Sequence, residues 1–104
     1  MHATIHRYEG VNAGGTTEVI GKVNETLVPQ LRELPGFVGY CLIEGGGVLS
    51  WLSLFDSSDQ ADGSTGVISK WIIDEQLNAA LPDAPTITSG YVVAYSYPSM
   101  VAIA

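Results

Sequence analysis

Two histidines near the start of the chain are the residues best suited to move protons. His6 is the stronger candidate for a general base, because an unperturbed imidazole pKa of about 6.5 suits proton transfer near neutral pH. His2 is expected to lie in a frayed N-terminus. The two residues are four positions apart, which separates them by about 13 Å along a strand, too far to chelate one ion. The sequence therefore predicts no protein-bound metal.

Aromatic side chains supply surfaces that could hold a flat ligand. Trp51 has Ser53 and Phe55 on its face of a strand, and an indole ring with one donor suits stacking on a small aromatic molecule. Packing in the core or at a dimer interface is the alternative role for these rings. Three further aromatic residues are candidates for contact with the same ligand: Tyr40, Tyr91 and Trp71.

The triple glycine at 45–47 raises the question of phosphate binding. A phosphate loop needs glycines followed by a helix, usually with a lysine and a hydroxyl residue. Here the strand-forming run "VLSWLSLF" follows, and no basic residue lies between Arg32 and Lys70. The glycines therefore predict a hairpin turn with positive backbone angles.

The single cysteine, Cys41, is predicted to be a buried, unreactive thiol. Only Glu44 lies near it in the sequence, and an activated thiolate needs a nearby cation or base. One cysteine also cannot form an intrachain disulfide.

Composition excludes several classes of partner. Eleven acidic and four basic residues give a formal net charge of −7, which disfavours nucleic acid and anionic membranes. No run approaches the roughly 20 apolar residues of a membrane span. The first ten residues lack the basic start and apolar run of a signal peptide, so a cytoplasmic location is expected.

A strand and a helix open the chain. The stretch "HATIHRY", residues 2–8, alternates and is rich in strand formers. A helix is predicted to begin at Thr16 or Thr17, where a hydroxyl can cap backbone amides, and to end at Leu34. Pro29 lies inside it and predicts a kink or a break, because proline cannot donate a backbone hydrogen bond. The apolar positions of this helix form a stripe: Val19, Ile20, Val23, Leu27, Leu31 and Leu34.

A hairpin, a second helix and a last strand follow. Strands are predicted at 37–44 and 48–55, joined at the glycines. A capping box at Ser57 begins a helix that is expected to reach about Leu77. The fourth strand is predicted to run over 86–97, up to the next proline.

This β-α-β-β-α-β order predicts an α+β, ferredoxin-like domain that spans residues 1–104. Four antiparallel strands would carry two helices on one face, and a second copy is expected to cover the other, open face. A shift of one residue in the register of the first strand decides on which face of the sheet His6 lies. If Ala3 and Ile5 face the helices, His6 lies on the open face; in the reverse case His6 lies in a cavity under the helices.

The sequence also resembles a known superfamily. A strand that ends in "RYEG", a helix that ends in "LVPQLRELPGFVGY", a glycine hairpin, "SLFDS" and a second helix with a tryptophan are similar to the dimeric α+β barrels. Within that superfamily, the similarity is greatest to small proteins related to the antibiotic biosynthesis monooxygenases. The resemblance implies a homodimer with a ligand cavity between each sheet and its own helices. Some members oxidise polycyclic phenols with molecular oxygen and no cofactor, and related members degrade haem.

Three functional hypotheses result. The first is a cofactor-independent monooxygenase that acts on a small aromatic or polyketide-like substrate, with His6 as the base. The alternative is a non-enzymatic homodimeric module that binds a ligand or has a structural role. A haem-degrading role is the third, and it departs from the family pattern because the predicted second helix contains no histidine.

Overall fold

A four-stranded antiparallel sheet carries the helices of this protein on one face. In the computed structural model, which describes residues 1–81 and 83–96, the strands are β1 (His2–Tyr8), β2 (Phe37–Gly45), β3 (Val48–Phe55) and β4 (Thr86–Tyr91). Their order across the sheet is β2-β3-β1-β4, with antiparallel neighbours throughout. This arrangement confirms the predicted ferredoxin-like α+β fold.

The first helical segment covers residues 13–32 and has three parts. These are α1 (Ala13–Lys22), a wide π-helical turn (Val23–Leu27) and α2 (Val28–Arg32). The segment begins before the predicted start at Thr16 or Thr17, so that prediction is wrong. The physical reason is Asn12, whose side chain accepts a hydrogen bond of 2.7 Å from the Gly15 backbone N–H and caps the helix.

The kink or break that Pro29 predicts corresponds to this wide turn in the structure. Within it, the Val28 N–H donates to the Val23 carbonyl, five residues back. Proline has no N–H to donate and its ring clashes with the carbonyl four residues before it, so the widened turn accommodates the ring without ending the helix. Side chains satisfy carbonyls in this region: Thr26 Oγ1 donates to the Lys22 carbonyl at 2.9 Å, and Gln30 Nε2 donates to the Thr26 carbonyl at 2.9 Å.

Glycines with positive φ make the two sharp turns around the hairpin. Gly46 and Gly47 have φ values of 57° and 82°, which match the two-residue turn that joins β2 to β3. Gly36, with φ of 75°, lies between α2 and β2. Its carbonyl accepts a hydrogen bond of 2.9 Å from the Asp56 N–H. The predicted hairpin at the triple glycine is confirmed.

The second helix, α3, spans Ser58–Asp74 and has the predicted cap, since the Gln60 N–H donates to the Ser57 side chain at 3.3 Å. It ends three residues before Leu77. The last strand, β4, ends at Tyr91, earlier than the predicted Tyr97, and Tyr97 itself lies outside the described residues.

The core fills the space between the sheet and the helices. Leu49 and Trp51 of β3 pack in one cluster with Ile68 and Trp71 of α3, and Phe55 of β3 is also buried. The first helical segment adds its buried apolar residues to the same layer: Val19, Val23, Leu27 and Leu31. None of the described helices is both long enough and apolar enough to cross a membrane.

The opposite face of the sheet carries none of the described helices, and apolar side chains are exposed there. Ile5 and Ile43 are exposed on it, Ile43 by 60%. Cys41 lies on this face and is exposed, so the prediction of a buried thiol is wrong for the single chain. The reason is strand alternation, because Cys41 follows Tyr40, whose side chain faces the helices.

Candidate active site

Strand β1 directs one row of side chains beneath the helices. His2, Thr4, His6 and Tyr8 are buried, whereas the residues between them are half-buried or exposed. Of the two orientations that the sequence leaves open, the structure therefore has His6 under the helices. His2 pairs with Phe55 and with Tyr91 in the sheet, so the prediction of a frayed His2 is wrong.

His6 is a buried imidazole without a polar partner in the described part of the chain. Its side chain is 2% exposed, and neither ring nitrogen forms a hydrogen bond with any described residue. Burial lowers the pKa of His6 below its ordinary value of 6.5, because a charged imidazolium loses hydration there. His6 is therefore neutral at pH 7 and retains a basic lone pair.

The Trp51 ring packs against the His6 imidazole on the core side. Trp51 is its register partner in β3, and the two ring centroids lie 6.4 Å apart. Tyr8 packs in turn on the Trp51 indole, at a centroid distance of 4.9 Å. These contacts restrict the rotation of the imidazole, because tight packing fixes side-chain rotamers.

Trp51 and Trp71 themselves belong to the core. Their rings make an edge-on contact at 5.8 Å and 71°. The Trp71 N–H donates to Thr26 Oγ1 at 2.7 Å, which joins α3 to the wide turn. Both rings are buried behind the wall of the nearest cavity, so their role as ligand contacts stays a prediction.

A cavity that we call the smaller cavity opens beside His6. It has a volume of about 320 Å³ and lies between β1, β4 and α3, with His6, Tyr8, Ile72, Asp83 and Ile87 among its lining residues. That volume is at the lower end of small-molecule sites. Burial raises the pKa of Tyr8 to about 12, so its phenol stays protonated at neutral pH. The cavity thus presents a neutral base beside a phenol on walls of mixed apolar and polar residues.

Tyr40 and Tyr91 are not brought to this cavity. Tyr40 lines a larger cavity of about 620 Å³ between the first helical segment and β2. Burial, with smaller contributions from Cys41 and Tyr8, raises the pKa of Tyr40 well above its usual range. Tyr91 is 74% exposed and contacts His2 edge-on at 5.3 Å.

Tyr8, Ser53 and Asp83 are polar residues of this region that were not among the predicted site residues. Tyr8 lies two positions after His6, so strand alternation identifies it once the orientation of β1 is known. Ser53 faces the same layer, and its buried hydroxyl has no partner among the described residues. Asp83 comes from the connector before β4, where the sequence carries no signal for a site.

Histidine is not brought to the larger cavity. No described residue that lines it is a histidine, whereas Tyr40 and Cys41, of types that can also ligate haem iron, do line it, and His6 lies in the smaller cavity. Helix α3 also carries no histidine. Within residues 1–81 and 83–96, no group of three or more His, Cys, Asp or Glu side chains could hold a metal ion.

Comparison with known proteins identifies similar folds rather than similar sequences. No protein-family model and no curated protein sequence matches the chain. Among solved structures, a Streptomyces coelicolor monooxygenase in complex with the ligand nanaomycin D superposes with a TM-score of 0.73 at 14% identity, over 94% of this chain and 92% of that chain. An antibiotic biosynthesis monooxygenase superposes with a TM-score of 0.70 at 16% identity, over 90% and 100% of the two chains.

A third similar structure is a dimeric ferredoxin-like protein from an uncultured marine organism. Its TM-score is 0.71 at 14% identity, with coverage of 94% of this chain and 92% of that one. Matches of this kind support the predicted superfamily at the level of the fold.

Proposed function

We propose that this protein is a cofactor-independent monooxygenase that oxidises a small aromatic or polyketide-like substrate in the smaller cavity. The observation that carries the proposal is His6, a buried and neutral imidazole without a described partner at the wall of that cavity. An unpaired buried base is costly to fold, and such groups concentrate at functional sites. The shared fold with monooxygenases supports the same class of reaction.

The reaction begins with proton transfer to His6. The imidazole lone pair takes a proton from an activated CH₂ group of a phenolic or anthrone-like substrate, and the electron pair delocalises into the ring system. The Tyr8 phenol, which stays protonated, donates a hydrogen bond to the oxyanion that develops. This step makes an electron-rich anion beside His6.

Dioxygen is the second substrate and the oxidant. The anion transfers one electron to dioxygen, and the two radicals combine to a carbon-bound peroxide. The carbon-bound peroxide anion takes the first proton back from His6 and becomes a hydroperoxide. Neutral His6 then removes the remaining C–H proton, the C–H electron pair forms the carbonyl as the O–O bond breaks, and the departing hydroxide takes that proton from His6 and leaves as water. One oxygen atom enters the product, and CH₂ plus O₂ becomes C=O plus H₂O.

We also propose that the protein works as a homodimer through the open sheet face. The exposed Ile5 and Ile43 lie there, and apolar patches on sheet faces mark association sites. A structural neighbour described as a dimeric ferredoxin-like protein supports the same assembly. Sedimentation velocity is expected to give a dimer, and a monomer at micromolar concentration would overturn this part of the proposal.

An oxygen electrode with anthrone and naphthohydroquinone as probes tests the reaction. His6→Gln is expected to lower kcat/KM by about 100-fold or more, the contribution of a general base. His2→Gln is the matched control, because His2 lies on the same face of the same strand but does not line the cavity; it is expected to keep kcat/KM within about twofold. The wild-type kcat/KM should fall on the acid side, below pH 6.5, as His6 takes up a proton.

Three outcomes contradict parts of the proposal. Equal kcat/KM for wild type and His6→Gln removes His6 as the base. Saturable binding of the probes without oxygen consumption indicates the non-enzymatic ligand-binding module instead. Absence of both binding and oxygen uptake overturns the proposal as a whole.

A further inference from the structure

The larger cavity has the composition of a second ligand site. It lies between the first helical segment and the edge strand β2 and has a volume of about 620 Å³. Apolar side chains form much of its wall: Ile20, Val23, Val28, Phe37 and Leu42. The wide turn contributes Val23 and Asn24 to this wall, and such turns inside helices are frequent at functional sites.

Tyr40 is a lining residue of this cavity that carries a hydrogen-bond donor. Its hydroxyl oxygen is buried and has no hydrogen-bond partner among the described residues. Burial keeps the phenol protonated by raising its pKa. A buried hydroxyl without a partner costs free energy, which a ligand oxygen that accepts from Tyr40 would recover.

Arg32 places a cation at one end of the cavity. The other three basic residues each pair with a carboxylate, at distances between 2.8 and 3.2 Å. Arg32 forms no ion pair with any described residue, although it lines the cavity. Its guanidinium is therefore available to a carboxylate of a ligand.

Glu44 gives the two ends of the cavity opposite charges. Arg32 ends α2 and lies next to the start of β2, whereas Glu44 lies near the end of that strand. The seven residue steps from Phe37 to Glu44 span about 23 Å. A ligand anion is thus attracted to the Arg32 end and repelled from the Glu44 end.

We propose that the larger cavity binds an aromatic carboxylate that carries a second oxygen substituent. The carboxylate lies at Arg32, the ring lies on the apolar wall, and the second oxygen accepts a hydrogen bond from Tyr40. This site is separate from the His6 cavity and does not rest on the oxygenase proposal.

Calorimetric titration with three related probes tests each contact. The probe 6-hydroxy-2-naphthoate carries both groups, 2-naphthoate lacks the hydroxyl, and 2-naphthol lacks the carboxylate. Arg32→Gln is expected to weaken both naphthoates by roughly threefold to tenfold and to leave 2-naphthol unchanged. Tyr40→Phe is expected to weaken 6-hydroxy-2-naphthoate and 2-naphthol by a similar factor and to leave 2-naphthoate unchanged.

Matched variants control for general effects of charge and of tyrosine loss. Arg7→Gln removes a guanidinium that pairs with Glu9 elsewhere, and Tyr91→Phe removes an exposed phenol; both should bind all three probes as the wild type does. His6→Gln should also bind them normally, which separates this site from the catalytic proposal. Circular dichroism spectra establish that each variant is folded.

The proposal is overturned if 6-hydroxy-2-naphthoate shows no saturable binding at about 1 mM, the weak limit for a specific small ligand. It is equally overturned if Arg32→Gln and Tyr40→Phe bind all three probes as tightly as the wild type. Loss of binding in His6→Gln alone would place the probes in the smaller cavity and refute the second site.

Discussion

Replacement of Thr26 by valine is expected to destabilise the protein by more than its half-buried position suggests. Thr26 Oγ1 accepts the N–H of Trp71 at 2.7 Å and donates to the Lys22 carbonyl at 2.9 Å. Valine has the same shape but no hydroxyl, so the Trp71 N–H loses its partner. The Trp71 side chain is 2% exposed, and water cannot readily replace that partner.

The magnitude follows from the burial of the indole. A buried donor without a partner costs about 1 to 3 kcal/mol. Since about 1 kcal/mol shifts the Tm of a domain of this size by roughly 4 to 8 °C, the expected decrease in Tm is roughly 5 to 20 °C. Thermal unfolding followed by circular dichroism at one fixed protein concentration measures it.

Thr17→Val is the matched control for this variant. Thr17 Oγ1 donates to the Ala13 carbonyl at 3.2 Å, which is the same four-residue back-bond, but it is exposed and touches no indole. Its loss should change stability by less than about 0.5 kcal/mol. A Thr26→Val variant whose Tm lies within about 2 °C of that of Thr17→Val would refute the reasoning.

Two further predictions concern the protonation of His6 and the turn at Gly36. Burial lowers the pKa of His6 below 6.5, so the unfolded chain takes up this proton at a higher pH than the folded protein. The stability associated with neutral His6 is therefore complete above about pH 6.5 and is lost as the pH falls towards the lowered folded pKa. Urea titrations of His6→Gln should show a smaller loss of unfolding free energy between about pH 7 and pH 5 than the wild type, and equal losses would contradict the burial effect. Gly36→Ala should cost about 1 to 2 kcal/mol, because Gly36 has φ of 75° and an added Cβ would meet the Gln60 side chain. Gly45→Ala, with open space around its Cβ, should cost much less, and similar urea midpoints for the two variants would refute this explanation.

Local patterns in the sequence predict most of the sheet. Strand β1 and strand β3 have the predicted bounds, because residue alternation and flanking glycines define both. The start of α1 was missed because Gly14 and Gly15 are poor helix formers, and the Asn12 cap compensates for them. Local propensity and capping thus compete at this end of the helix.

The candidate site was less predictable because it depends on contacts between distant segments. Both faces of β1 mix apolar and polar residues, so only the packing of α3 decides that His6 lies inside. The separation of Tyr40 from His6 depends on the sheet order, which places β2 at one edge and β1 between β3 and β4. No local pattern carries that information.

The wide turn sets the rotational phase of the first helical segment. Its buried residues repeat strictly every four positions: Val19, Val23, Leu27 and Leu31. In a regular α-helix each step of four advances about 40° around the axis, so three steps would carry the stripe through roughly 120° and away from the sheet. The wide turn from Val23 to Leu27 is the middle one of these three steps. It uses more residues per revolution than an α-helix, so it turns the stripe of buried residues back towards the sheet. Deletion of one residue within this turn would leave a regular α-helical turn of about 400°, close to the rotation that the five-residue wide turn makes, so it would shorten the segment and nearly keep the phase of α1 relative to α2.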